Sequence, residues 1–152
     1  MSIEKAYNFR LINSRITTSG VISAEQLQEL SHLDYQRVIN LLPSDSEYAV
    51  ADEQQLIESQ NITYNAIPVD FSKPSPEDYQ KFLQVMQQSL EEKIHIHCAA
   101  NYRVSAFFSI YACQHLGWDS AQAKRHIESL WQPSDHSNWL RLLEEMIPGY
   151  CA

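Results

Sequence analysis

The chain has 152 residues, of which 44% are hydrophobic and 20% charged, with only 3 Gly and 6 Pro. That is the composition of one globular domain, expected here over residues 1–152, whose core can bury about two-thirds of the unfolded surface. Lys and Arg number 11 against 19 Asp and Glu, a net charge of -8, which argues against nucleic-acid and anionic-membrane partners because both demand a positive face. Cys98, Cys113 and Cys151 cannot all pair and form no CxxC, unlike a secreted disulfide scaffold. The segment MSIEKAYNFRLINSR has no apolar stretch of signal-peptide type, and no run approaches the ~20 apolar residues of a membrane span. A reduced, cytoplasmic protein is the expectation.

The first periodic segment is residues 23–33 (SAEQLQELSHL), where Leu27, Leu30 and Leu33 share a helical stripe behind Ser23 as N-cap. Residues 37–42 (RVINLL) form a short apolar run of the kind found in a buried parallel strand, ended by Pro43. A helix is predicted over 48–60 and a strand over 61–69 (NITYNAIPV). Ser75, Pro76, Glu77 and Asp78 open the next helix with a cap, a proline at its first position and acids in its first turn. Its buried face is Tyr79, Phe82, Leu83, Met86 and Leu90. A strand over 93–97 (KIHIH) leads through a tight connection into a helix over 103–116 that stops at Gly117. Asp119 caps a helix reaching Trp131, and residues 137–146 form the last. The fold class is therefore α/β, a mostly parallel central sheet flanked by helices, with function expected at the carboxyl ends of the strands.

The segment KIHIHCAANYRVSAFF carries the chemistry. A buried strand delivers Cys98 to its carboxyl end and a helix begins within five residues. The backbone N–H groups of Ala99, Ala100, Asn101, Tyr102 and Arg103 can then curl round one point as an anion nest at a positive helix terminus. Arg103 adds a permanently charged planar fork suited to a tetrahedral oxyanion, and the same surroundings favour a thiolate nucleophile at Cys98. The bland alternative is a buried structural cysteine with a solvated arginine beside it.

The run from His97 through Cys98 and Arg103 to Ser105 resembles the signature loop of cysteine-dependent phosphatases of the tyrosine and dual-specificity type. More narrowly, TSGVISAEQLQEL, RVINLLP, ITYNAIPVD and the HC loop, in that order, resemble a small bacterial family of phosphatase-like proteins, a domain of unknown function with a dual-specificity-phosphatase-like fold. The resemblance implies hydrolysis of phosphate monoesters through a phosphocysteine, with Cys98 as nucleophile and residues 99–103 cradling the phosphate. It implies that Ser105, seven residues after Cys98, eases departure of the thiolate, and that no cofactor or metal is needed. Substrates would be a phosphorylated protein or small molecule.

Two departures stand out. The family loop has five residues between Cys and Arg and a glycine third after Cys; here four residues separate Cys98 from Arg103, and Asn101 stands at the glycine position. Asn is the residue most tolerant of left-handed backbone after glycine. Arg103 is displaced by one residue, about 100° of helix, and Val104 follows it where the family loop has Ser or Thr. A four-residue gap also resembles the loop of rhodanese-type sulfurtransferases, where Cys98 would carry a persulfide. The other alternative is a catalytically silent phosphate-binding module.

A phosphatase of this type also needs a general acid. Asp70, at the end of the strand before the Pro-rich stretch, is the first choice against a plain turn residue. Asp135 is the reserve, and Glu77 and Asp78 read as helix-terminus acids. His95 and His97 share one face of their strand, but no further ligand pair accompanies them, so metal is not expected and His97 reads as a residue orienting the loop beside Cys98. Phe107, Phe108, Tyr111, Trp131 and Trp139 read as core, Tyr102 as lining the mouth, Cys113 as an inert core thiol and Cys151 as free. His115, His126 and His136 read as surface or satisfied packing residues.

Overall fold

The computed structural model describes residues 2–151. Five strands make one sheet in the order β1-β2-β5-β3-β4: β1 (Arg10–Leu11), β2 (Ile16–Ser19), β3 (Arg37–Asn40), β4 (Thr63–Ala66) and β5 (Ile94–His97). Only the β1–β2 pair is antiparallel, and β5 lies centrally with Ser19 and Asn40 flanking His97 in register. The helices are α1 (Ala24–Gln28), α2 (Glu53–Glu58), α3 (Pro76–Gln87), α4 (Tyr102–His115), α5 (Ser120–Glu128) and α6 (Ser137–Met146). The α/β class with a mostly parallel sheet is as read from the sequence.

The β1–β2 hairpin was not expected. It turns where Asn13 Oδ1 accepts the N–H groups of Arg15 and Ile16, and its inner strand is the polar run Ile-Thr-Thr-Ser, buried throughout. The helix predicted over 48–60 shrinks to α2, because Asp52 takes a left-handed backbone (φ 59°) and reverses the chain just ahead of it. At α1 the Ser23 cap is reciprocated by Gln26, a capping box. Ser75 accepts from the Asp78 N–H at α3, with Pro76 at the first position. Of the predicted α3 face, Tyr79, Phe82 and Met86 are buried, while Leu90 lies past the helix end and is exposed.

Each face of the sheet has its own core. Ile39, Ile94 and Ile96 pack with Phe82, Phe107, Phe108, Trp139 and Leu143 on the side of α3 to α6. Val38 packs with Leu27, Leu30 and Ile57 on the side of α1 and α2. The helix α4 is buried continuously from Val104 to Ala112, so the loop that precedes it is anchored at both ends in packed structure.

Candidate active site

The central strand determines where Cys98 sits. Leu41 N–H donates to His97 O at 2.9 Å from β3, and Cys98 N–H donates to Ser19 O at 3.3 Å on β2. Cys98 is thus held by neighbouring strands as the chain leaves the sheet, and it is fully buried.

The loop carbonyls then turn toward the N-terminal segment. Ala99 O accepts Val21 N–H at 2.8 Å, and Ala100 O accepts Asn8 Nδ2 at 3.0 Å. In a planar trans peptide the N–H lies opposite the C=O, so the N–H groups of Ala100 and Asn101 face the other way. The first-turn N–H groups of Tyr102, Arg103 and Val104 have no intrahelical acceptor; Ser105 N–H is the first to close, on Asn101 O at 2.9 Å. Five amides are therefore available around one turn of chain, the arrangement that binds oxyanions at helix N-termini.

Asn101 takes φ 69° and ψ 10°, the left-handed turn that its place in the loop requires. Its Nδ2 donates to Asn8 O at 2.9 Å and to Thr18 Oγ1 at 3.0 Å, while its buried Oδ1 has no partner among the described residues. Gly20 backs the loop so closely that a Cβ there would lie 2.5 Å from Ala99 O and 2.8 Å from Ala100 Cα. Asn8, Thr18 and Gly20 were missed in the sequence reading. One signal was available for Gly20: glycine is scarce in this chain, and this one directly follows a strand.

Arg103 lies at the opening of α4, but its Nε donates to Val69 O at 2.9 Å and its guanidinium covers the Phe71 ring at 5.3 Å. Its charge is thereby directed at the connection after β4, beside Asp70. Val104, at the position where the phosphatase signature has arginine, is fully buried in the apolar core.

Asp70 is exposed and folds back on its own chain, Oδ1 accepting from Ser72 N–H at 2.9 Å and Ser72 Oγ at 2.8 Å. These two hydrogen bonds, then the Lys73 and Arg103 charges, hold its carboxyl below the usual range. Asp135, also exposed, lies in the short 3₁₀ turn Pro133–Asp135 before α6. Ser105 gives its hydrogen to Tyr102 O at 2.9 Å and accepts Trp131 Nε1–H at 3.0 Å, so its hydroxyl is committed within α4 and to α5's following turn rather than to the sulfur. Tyr102 is half-buried and stacks flat on Trp131, with centroids 4.9 Å apart; Phe71 leans against both.

The two strand histidines differ. His95 has both ring nitrogens engaged, Nδ1 with Thr17 Oγ1 and Nε2 with Ser19 Oγ, each at 2.8 Å. Burial, with the neighbouring His97 as a lesser cause, pushes it well below the usual histidine range, so it is neutral. His97 places Nε2 2.7 Å from Glu53 Oε2, both side chains almost wholly buried. Glu53, another residue missed from the sequence, is the first residue of α2 and lies inside the segment 48–60, where only a helix is predicted.

Of the two readings of His126, surface or satisfied packing, it is a half-buried residue packed edge-on against Trp118 at 5.5 Å, but its Nε2 is unpartnered among the described residues, and burial followed by the Arg10 charge pushes it down to about 4. Cys113 is half-buried, its thiol raised by burial and by Asp119, and Cys151 is exposed. A cavity of about 740 Å³ lies between α2 and the ends of β3 and β4, lined by Asn40, Leu42, Glu53, Tyr64 and Pro68 among others. Cys98 is not part of its wall. The nest, defined by hydrogen bonds rather than by volume, lies outside that cavity.

The sequence matches no protein-family model and none of the curated proteins. In three dimensions it is similar to a phosphatase-like DUF442 protein from Shewanella putrefaciens CN-32, with a TM-score of 0.84 and 30% identity over 95% of this chain and 93% of that one. It is also similar to TpbA of P. aeruginosa (TM-score 0.73, 15% identity, 91% and 84% covered), which has been solved as a Cys-to-Ser variant with pTyr as well. The core catalytic domain of the PP-IP phosphatase SIW14 from S. cerevisiae gives a TM-score of 0.75 at 16% identity, with 93% and 86% covered. At those identities the last two share the fold.

Proposed function

Because the chain belongs to the DUF442 family of phosphatase-like proteins, we propose that it hydrolyses phosphate monoesters through a phosphocysteine on Cys98. The carrying observation is the loop itself: a cysteine at the end of the central strand, followed by five amides free to receive an oxyanion. In the first step the Cys98 thiolate attacks phosphorus, the S–P bond forms, and the P–O bond to the leaving group breaks. The leaving oxygen takes a proton from an acid. Water then attacks phosphorus, the new P–O bond forms as the S–P bond breaks, inorganic phosphate is released and the thiolate is regenerated.

The amides of residues 100–104 stabilise the equatorial oxygens, the electrostatic contribution that is usually the largest in such reactions. Arg103 joins them once its guanidinium leaves Val69 O, and Ser105 reaches the sulfur by rotation of its hydroxyl away from Tyr102 O. Asp70 supplies the proton and later accepts one from water. Its depressed pKa means that it holds a proton only in acid, so turnover of esters with poor leaving groups should fall as pH rises through that value. A pH–rate profile on an alkyl phosphate, lost in Asp70→Asn, tests this; an unchanged profile transfers the role to Asp135. Phosphotyrosine and a small phosphorylated molecule are the substrate classes supported by the shared fold.

Phosphate release from p-nitrophenyl phosphate by wild type and Cys98→Ser is the central test. Activity that vanishes in the variant supports the reading. Absence of release from wild type, with thiosulfate:cyanide sulfur transfer that depends on Cys98, replaces it with the sulfurtransferase reading that the four-residue spacing favours. Engagement of Arg103 by Val69 O favours a second reading, an oxyanion-binding module without turnover, which would bind phosphate and do neither reaction.

A further inference from the structure

Glu53 meets the strand that carries the loop from α2. It opens α2, directly after the left-handed Asp52, and that reversal carries its carboxylate inward so that only 6% of the residue remains exposed. There Oε2 meets Nε2 of His97 at 2.7 Å, the short end of the range for a charge-assisted hydrogen bond. With Glu53 ionised, Nε2 must carry the hydrogen, because a carboxylate only accepts. The other ring nitrogen, Nδ1, is buried without a partner among the described residues, so Glu53 is the polar contact that fixes this ring. His97 is the last residue before Cys98, and its own carbonyl is already tied to Leu41 N–H.

The groups around the pair are accounted for. His95 stacks on His97 at 6.3 Å, but its nitrogens face Thr17 and Ser19. Tyr64 and Asn40 bond each other beside Glu53, with Nδ2 3.0 Å from the phenol oxygen. The carboxylate of Glu53 also raises the Tyr64 phenol, after burial as the larger cause, which keeps that phenol a neutral neighbour. No lysine or arginine lines the cavity that Glu53 borders.

We propose that Glu53 is a positioning residue for Cys98. It acts through His97, locking the imidazole in the form with hydrogen on Nε2 and so holding the start of the anion loop in register. This rests on Cys98 being the reactive residue, as under the proposed function, but its test does not need turnover.

The experiment compares wild type with Glu53→Leu, which keeps bulk but accepts nothing, and Glu53→Gln, whose amide oxygen still accepts from Nε2. Three readouts are taken: the ¹⁵N signals of the His97 ring, the rate of Cys98 labelling by N-ethylmaleimide followed at the peptide level, and phosphate release. In Glu53→Leu the His97 ring should lose its Nε2–H signature, Cys98 should label at least fivefold faster, and kcat should fall at least tenfold with KM nearly unchanged. Glu53→Gln should recover most of all three. Opposite movements of labelling and kcat mark a loosened loop rather than a weakened thiol. A Glu53→Leu protein whose His97 signals are unchanged, or whose Cys98 labels within twofold of wild type, overturns the proposal. If Glu53→Leu does not fold, a Glu53→Gln protein with a changed ring signature and faster labelling overturns it too, since the accepting oxygen is still present. Should wild type release no phosphate, the phosphatase reading falls while the ring signals and labelling still decide the role of Glu53.

Discussion

The two faces of β5 are built on different rules. Ile94 and Ile96 enter a core of rings and aliphatic chains where contacts are non-directional, with Phe107 against Tyr79, Phe82 and Trp139. His95 and His97, alternating with them, enter a face where each nitrogen that bonds has a named oxygen: Thr17, Ser19 or Glu53. Side chains on a strand alternate by geometry alone, so four residues can divide two tasks. One face supplies stability by area; the other supplies direction to the loop that follows.

The comparison can be broken most visibly on the apolar side. Phe107→Ala should cost about 3–5 kcal/mol, the usual loss for a fully buried aromatic ring, read as a fall in denaturant midpoint. The labelling rate of Cys98 in molecules that remain folded should hardly change. If it rises sharply, the two faces are not separable.

Acid distinguishes the faces next. His95 is buried neutral, and half-buried His126 on α5 is shifted in the same direction. Each has a folded pKa below the unfolded value of about 6.5, so its contribution is full above that pH and is lost as pH falls. Each should remove about 1.4 kcal/mol per pH unit, a combined slope of roughly 3 that halves below about 4, where His126 is already protonated. Thermal unfolding from pH 7 to 4 measures it, and His126→Gln should leave the slope belonging to His95.

Gly20→Ala sharpens the loop side. The added methyl meets backbone atoms of Ala99 and Ala100, which cannot swing aside as a side chain can. A loss of about 1–3 kcal/mol is expected, with phosphate release suffering more than the stability change accounts for. The smallest effect should come from Trp131→Phe. It removes the indole N–H from Ser105 Oγ, worth about 1 kcal/mol, and frees that hydroxyl; intrinsic fluorescence and urea unfolding together report it.

The legible parts were those specified by short-range chemistry. The Ser75-Pro76 start of α3, the capping box at Ser23 and the apolar run of β3 follow from neighbours a few residues away. So did the left-handed Asn101, because few side chains other than glycine's tolerate that turn. What could not be read depends on partners distant in sequence. Nothing local to ITTS marks a buried strand, since its threonines and serine are satisfied by His95 and Asn101 from 76 to 83 positions away. Glu53 looks like any helix-surface acid until the sheet brings His97 beneath it. The direction taken by Arg103 was equally hidden, because its acceptor is a backbone carbonyl on another strand's exit.

The hydrogen bonds from Asn8 to Ala100 and from Asn101 to Asn8 and Thr18 close separations of 92, 93 and 83 residues. Long closures of this kind are slow in folding. During synthesis from the N-terminus, the segment that contacts the anion loop has been made long before the loop itself exists. The cysteine acquires its surroundings only when the last of the parallel strands slides between β2 and β3. Until then the Cys98 side chain lacks the walls that bury it, and its enclosure arrives together with the completed sheet.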